Sequence, residues 1–261
     1  MPIIQVENGY IYKKNTKNTK MKKAVFILLL FVIAVLILAS SMFAFSKFDF
    51  TSAFNMNKYL IYNSKSYYAI SLKQGVSFAE VSDETNLIKI QDGAGFVYKQ
   101  NGTYHLIAST YGSKSDAEKV INNISNYDAQ IVEIKFDKLI LSAKYTSEQI
   151  EMLRYSLGMV DRFFNVVESI IISFDRGEIL DAEVRQKLQV FKESCQEDKE
   201  NLAKVFKDNS DVVVTYVKIF QSEVISNLSS AIVSQNLSGD LKYITISTLS
   251  SFEMLQKNIK K

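Results

Sequence analysis

Hydrophobic and polar positions follow three successive rhythms along this chain. Residues 24–45, AVFILLLFVIAVLILASSMFAF, are apolar throughout apart from Ser40 and Ser41. Between residues 67 and 136 the pattern alternates with a short period, as strands do, and from residue 144 onward it becomes helical. At about 1.5 Å per residue the first run is long enough to cross the ~30 Å hydrocarbon core of a bilayer. One transmembrane helix is therefore expected over 24–45, after a basic cytoplasmic tail (1–23) and before a linker (46–65) without clear periodicity. A cleaved signal peptide is the alternative reading, although its apolar region is usually only about 7–15 residues.

In 67-YYAISL-72, Tyr68, Ile70 and Leu72 share one strand face and Tyr67, Ala69 and Ser71 the other. A stretch around 76–90 is expected to be partly helical. Asn101-Gly102 signals a type I′ hairpin, which needs positive φ at both turn positions. A two-residue turn there sets Gln100 opposite Thr103, Tyr98 opposite His105 and Phe96 opposite Ile107. A helix capped by Ser113 or Ser115 follows in 114-KSDAEKVINNI-124, and 129-AQIVEIKF-136 supplies a last strand.

The resulting order, β-α-β-β-α-β, is an α+β, ferredoxin-like arrangement spanning 66–137. Both helices are expected on one face of the sheet, leaving the other face open. That second face carries Ser71, Phe96, Tyr98, Thr103, His105 and Ile107. Aromatic and hydrogen-bonding side chains on an open sheet suit a flat polar polymer, a sugar chain in particular. Alternatively, they are half-buried residues covered by the helical region.

That region, 144–261, starts with the capping box 146-TSEQ-149. Ile150, Leu153, Leu157, Val160, Phe164, Val167 and Ile171 follow helical spacing until a break at 175-DRGE-178. A second helix with Ile179, Leu188, Val190, Phe191, Leu202, Val205 and Phe206 runs to about Lys207. The cluster 208-DNSD-211 begins a third, in which 212-VVVTYVKIF-220 is read as buried helix, and 238-SGD-240 precedes a fourth. An all-α bundle or pair of hairpins is expected. The charged segment 192–204 is read as a solvated face in preference to a coiled-coil surface.

Residues 67–136 resemble the SPOR (sporulation-related repeat) domain, a peptidoglycan-binding module. The likeness is carried by 67-YYAISL-72, 94-AGFVYK-99 with its turn, 103-TYHLIAST-110, and 112-GSKSDAEKV-120 leading into the helix. It implies binding to glycan strands of septal peptidoglycan, with a preference for strands stripped of stem peptides. It also implies a bacterial, single-pass protein of the cell membrane with a cytoplasmic N-terminus and an extracytoplasmic C-terminal part, enriched at the division or sporulation septum. The family's first strand usually reads Val-Gln-Val-Gly. Here Ile70, Ser71, Leu72 and Lys73 stand at those positions, and His105 takes the place of an arginine in the third strand. Carried over residue by residue, Ser71 and His105 would hydrogen-bond the glycan and Phe96 and Tyr98 would stack on it.

Charge and composition narrow the function classes. The first 23 residues hold six lysines and one glutamate, so the remaining 25 basic and 27 acidic residues leave the body slightly acidic. A nucleic-acid partner has no electrostatic support. One histidine and one cysteine, Cys195, give no metal-ligand cluster and no internal disulfide. A hydrolytic triad would have to use His105, in the middle of a strand. No catalytic residue, metal or cofactor is therefore expected. The lipid bilayer and peptidoglycan are the expected partners, with other division or sporulation proteins recruited through 144–261. The rival expectation is a protein-interaction scaffold of the cell envelope with a degenerate SPOR fold.

Overall fold

In a computed structural model of the chain, residues 4–7, 10–13, 59–142, 144–207 and 211–260 are described. The transmembrane helix expected over 24–45, most of the basic tail and linker residues 46–58 lie outside them. Among the described residues no helix is long and apolar enough to cross a membrane. The chain divides into two compact units, Met1–Met56 and Asn57–Lys261. In the first, strands β1 (Ile4–Glu7) and β2 (Tyr10–Lys13) pair antiparallel, with Ile4 opposite Lys13 and Glu7 opposite Tyr10.

The second unit is mixed α+β. It begins with β3 (Tyr59–Tyr62), inside the expected linker, and continues through β4 (Lys65–Gly75), α1 (Phe78–Ser82), α2 (Thr85–Ile90), β5 (Phe96–Gln100), β6 (Thr103–Tyr111), α3 (Lys114–Ile121) and β7 (Gln130–Phe136). Strands β4 to β7 form one antiparallel sheet in the order β5-β6-β4-β7. The element order expected from the sequence is observed, with its first helix split in two. Ser113 is the cap of α3, accepting from the Asp116 N–H. Asn101 (φ 49°) and Gly102 (φ 88°) supply the two positive φ values of the hairpin turn, and the β5–β6 pairing is the expected one.

Strand β7 continues into β8 (Leu139–Ser142), a strand the sequence pattern did not disclose. Tyr62 lies opposite Leu139 and Lys65 opposite Phe136, so β3–β8 keep the register of β4–β7 across the interruption at Asn63-Ser64 and Asp137-Lys138. The inward residues change phase there on both strands together. Tyr67, Ala69, Val132 and Ile134 face inward on one side, and Leu60, Tyr62 and Leu139 on the other.

Among the described residues five helices follow where four were expected: α4 (Ser147–Leu157), α5 (Met159–Asp175), α6 (Asp181–Phe206), α7 (Val212–Ile232) and α8 (Leu237–Ile259). The extra break falls at Gly158, which caps α4 and opens α5. Thr146 and Gln149 form the capping box, and Asp211 caps α7 by accepting from the Val213 and Val214 N–H groups. The boundary before the last helix is Asn236, which accepts from the Gly239 N–H, so 238-SGD-240 lies inside α8. Val190, expected among the apolar members of its helix, is 61% exposed.

Two cores flank the four-stranded sheet. Ile70, Leu72 and Leu106 pack with Val81, Ile88 and Ala117 from α1–α3. On the opposite face, Tyr67, Ala69, Tyr98, Ile107, Ile134 and Phe136 join Leu153, Phe164, Phe220, Leu249 and Phe252 in one continuous core with α4–α8. The sheet is thus the middle layer of three, and the expected open face does not exist. Phe252 sits at the centre, its ring 4.9 Å from Phe136, 5.0 Å from Tyr62 and 5.4 Å from Phe220. A shared core predicts a single calorimetric transition for sheet and helices together. Phe252→Ala should lower unfolding stability by about 3–5 kcal/mol in denaturant titration.

Candidate functional site

The six residues expected to read a ligand do share one sheet face, and that face is covered by the helical layer. Phe96, Tyr98 and Ile107 turn toward α8 because the hairpin register fixes them on the side opposite Val97, Leu106 and Ala108. The Phe96 ring meets Tyr243 at 5.3 Å, edge to face, and Ile107 is fully buried. Tyr98 is 2% exposed, and its hydroxyl donates to Glu253 Oε2 at 2.8 Å. Burial, and next the bond to Glu253, hold that phenol well above its usual range. The side chains assigned to sugar stacking are therefore engaged by α8.

Ser71 and His105 come together at two adjacent β-bulges. Strand β4 sets Ile70 opposite Ser109, Ser71 opposite Ile107 and Lys73 opposite Leu106, so Ala108 and Leu72 are the extra residues. Ser71 is already placed on the covered face, with Tyr67 and Ala69, by alternation along β4. Its hydroxyl donates to the Lys73 carbonyl at 3.0 Å, and its oxygen lies 3.4 Å from His105 Nδ1. With the serine proton used on Lys73, that oxygen acts as acceptor, which selects the Nδ1–H tautomer of His105. Ser71 is fully buried and His105 only 8% exposed. Burial pushes the imidazole below its usual value, so the ring is neutral at pH 7.

Thr103 and Gln100 lie half-buried at the end of this face. The Gln100 amide donates to the Glu133 carbonyl at 2.8 Å, joining edge strand β5 to edge strand β7. In a flat sheet these edges would stand roughly 14 Å apart, three interstrand spacings. The bond therefore records a strong twist that draws two diagonal corners of the sheet together. What remains accessible is a narrow polar strip at Gln100 and Thr103.

Other chemistry is sparse. Cys195 is buried and its thiol is pushed up to about 12, first by burial and then by Asp198, so it is a poor nucleophile. Among the described residues no group of His, Cys, Asp and Glu is placed to hold a metal ion. The helical layer does present an apolar groove of about 520 Å³ between α5 and α6, floored by Val166, Val190 and Phe191 and edged by Glu183 and Lys187. No protein-family model, curated protein or solved structure matches this chain.

Glu253 and Tyr243, which close the sheet face, were missing from the sequence reading. A signal for them exists, since Leu241, Ile244, Thr245, Ile246, Thr248, Leu249, Phe252 and Leu255 are all buried along α8. A helix buried over so much of its circumference lies between layers and has no solvent face to spare.

Two measurements check this account. Tyr98→Phe removes a hydrogen bond to a carboxylate and should cost about 1.5–3 kcal/mol in denaturant titration. His105 is the only histidine in the chain. Below about pH 6.5 the unfolded chain binds a proton at this position that the folded chain resists, so stability should fall on acidification from about pH 7.5 to 5.5. His105→Gln should flatten that dependence, as read from melting temperatures across the interval.

Proposed function

We propose that the protein is a membrane-anchored, non-catalytic scaffold of the bacterial cell envelope, in which a degenerate SPOR-like, ferredoxin-like sheet serves as structural core. The observation that carries this reading is the closure of the sheet's second face by α8, with Tyr98 bonded to Glu253 and Phe96 packed on Tyr243. A glycan strand would need the surface that α8 covers. Helix α8 is no removable lid, because Ile246, Leu249 and Phe252 are buried in the same core as α4–α7. Under this reading the helical surface serves partner proteins, while the basic tail and residues 24–45 tie the protein to the bilayer.

A second reading keeps peptidoglycan glycan strands as ligand at the polar strip of Gln100 and Thr103, beside His105. It is favoured by the half-exposure of those two side chains, which leaves hydrogen-bonding groups at the end of the sheet. It gives up the stacking contribution of Phe96 and Tyr98.

Co-sedimentation of the full chain with purified sacculi, before and after removal of stem peptides, separates the two. The scaffold reading predicts that the protein stays in the supernatant in both cases. Pelleting that rises after stem-peptide removal and disappears in a Gln100→Ala, Thr103→Ala double variant would establish glycan binding instead.

A further inference from the structure

Two apolar side chains of α6 are left strongly exposed: Leu180 at its N-terminus, 77% exposed, and Val190 farther along, 61% exposed. Val190 borders the groove of about 520 Å³ whose other apolar walls are Phe191 and, from α5, Val166. We propose that two copies of this chain pair through this face, antiparallel along α6, each placing its Leu180 in the other's groove. The proposal does not depend on the scaffold reading.

Spacing along α6 supplies the register. Leu180, Glu183, Lys187 and Val190 succeed one another at steps of three, four and three residues, so they form one stripe along the helix. In an antiparallel pair related by a two-fold axis, residues equally far before and after the axis face each other. An axis level with Arg185 brings Leu180 of each copy opposite Val190 of the other, because both stand five residues from it. The same axis sets Glu183 opposite Lys187, each two residues away. One operation therefore matches both apolar members and both charges. Arg185 itself stays out of the contact, since its guanidinium donates to the carbonyls of Ile232 and Ser234 at the end of α7.

Two features of the single chain fit such a partner. Leu180 occupies the N-cap position of α6 and makes no capping hydrogen bond, where Ser, Thr, Asp or Asn would satisfy a free N–H. The chain thus forgoes a cap and leaves a leucine in water. Seated between Val166, Val190 and Phe191 of a second copy, that leucine loses its contact with water and fills an apolar hollow. Glu183 and Lys187, for their part, pair only along their own helix, at 3.5 Å and half exposed, an arrangement that contributes little. The same two charges can be shared across the axis with little loss. A groove edged by one carboxylate and one ammonium favours a partner carrying both signs in reverse order, which a second copy does. A strongly basic or strongly acidic segment would meet one like charge. The stripe is short, so the pairing is of the weak kind formed by small interfaces.

The test uses the full chain in detergent micelles and reverses charges that lie on the surface. Sedimentation equilibrium of the unaltered chain is expected to show concentration-dependent dimers. Glu183→Lys alone and Lys187→Glu alone each set like charges across the axis and should weaken dimerisation about tenfold or more. Mixed in equal amounts, the two variants carry opposite charges at both crossings and should recover association. The pair within each helix stays broken in the mixture, so recovery reads the contact between copies. For position, a copy with Leu180→Cys and a tagged copy with Val190→Cys should form a mixed disulfide faster than either forms with itself. Cys195, the only cysteine in the chain, is buried and does not compete. Association through residues 24–45 would be shared by all variants and would produce neither effect. A chain that stays monomeric, dimers unchanged by either reversal, no recovery in the mixture, or a mixed disulfide no faster than the others would overturn the proposal.

Discussion

The packing of α8 on the second face of the four-stranded sheet is the contact on which the rest of the unit from Asn57 to Lys261 depends. A sheet with apolar residues on both faces must be covered twice, because exposing either face leaves large side chains in water. Helices α1–α3 cover one side from within the sheet's own stretch of chain. The other side carries Tyr67, Tyr98, Ile107, Ile134 and Phe136, and only the helices that follow can bury it. Once Phe252 stands among Phe136, Tyr62 and Phe220, the position of α8 is fixed and α5 and α7 take their places beside it.

Polar groups that this packing would strand are met at its margins. Asp161 on α5 accepts from Lys65 Nζ at 2.6 Å, Tyr67 Oη at 2.7 Å and Tyr62 Oη at 3.4 Å, uniting both halves of the β3–β4 run with one helix. Burial, followed by contact with Asp161, drives both phenols far above their usual range, so they remain neutral donors. At the far end of α8, the Gln256 amide donates to the Asp137 carbonyl at 3.1 Å, and Lys260 pairs with the Asp137 carboxylate at 2.9 Å. The centre of the interface stays apolar and its border is satisfied, which is what burial of this kind requires. The Thr110 hydroxyl and the Gln221 amide oxygen are exceptions, buried without a partner among the described residues.

Local rules carried the sequence reading a long way. The Asn101-Gly102 turn gave the register of β5 and β6, and the capping box at Thr146 gave the start of α4, because both signals depend on residues close in sequence. The period-two alternation sorted Val97 and Leu106 from Tyr98 and Ile107 correctly. It could not say what lies beyond the second face, since a half-polar strand looks the same under water, sugar or a helix. Ser71 and His105 have the chemistry of ligand-binding groups, and only the helical layer over their face shows them to be buried. Strands β3 and β8, with only four residues each, made too little pattern to register, and their pairing is non-local. The apolar circumference of α8 marked that helix as buried, but Glu253 lies too far from Tyr98 in sequence for any local rule to pair the two.

The shared register of β3–β8 and β4–β7 has a consequence for how this chain can vary in length. Asn63-Ser64 and Asp137-Lys138 face each other across the interruption, and both strands change phase there. A single residue inserted on one strand would shift half the ladder by one step and turn Leu60 and Tyr62, or Leu139, outward. An insertion matched on both strands would lengthen the ribbon and keep its inner face. These two short segments are therefore coupled as a pair: length can change at one only if it changes at the other.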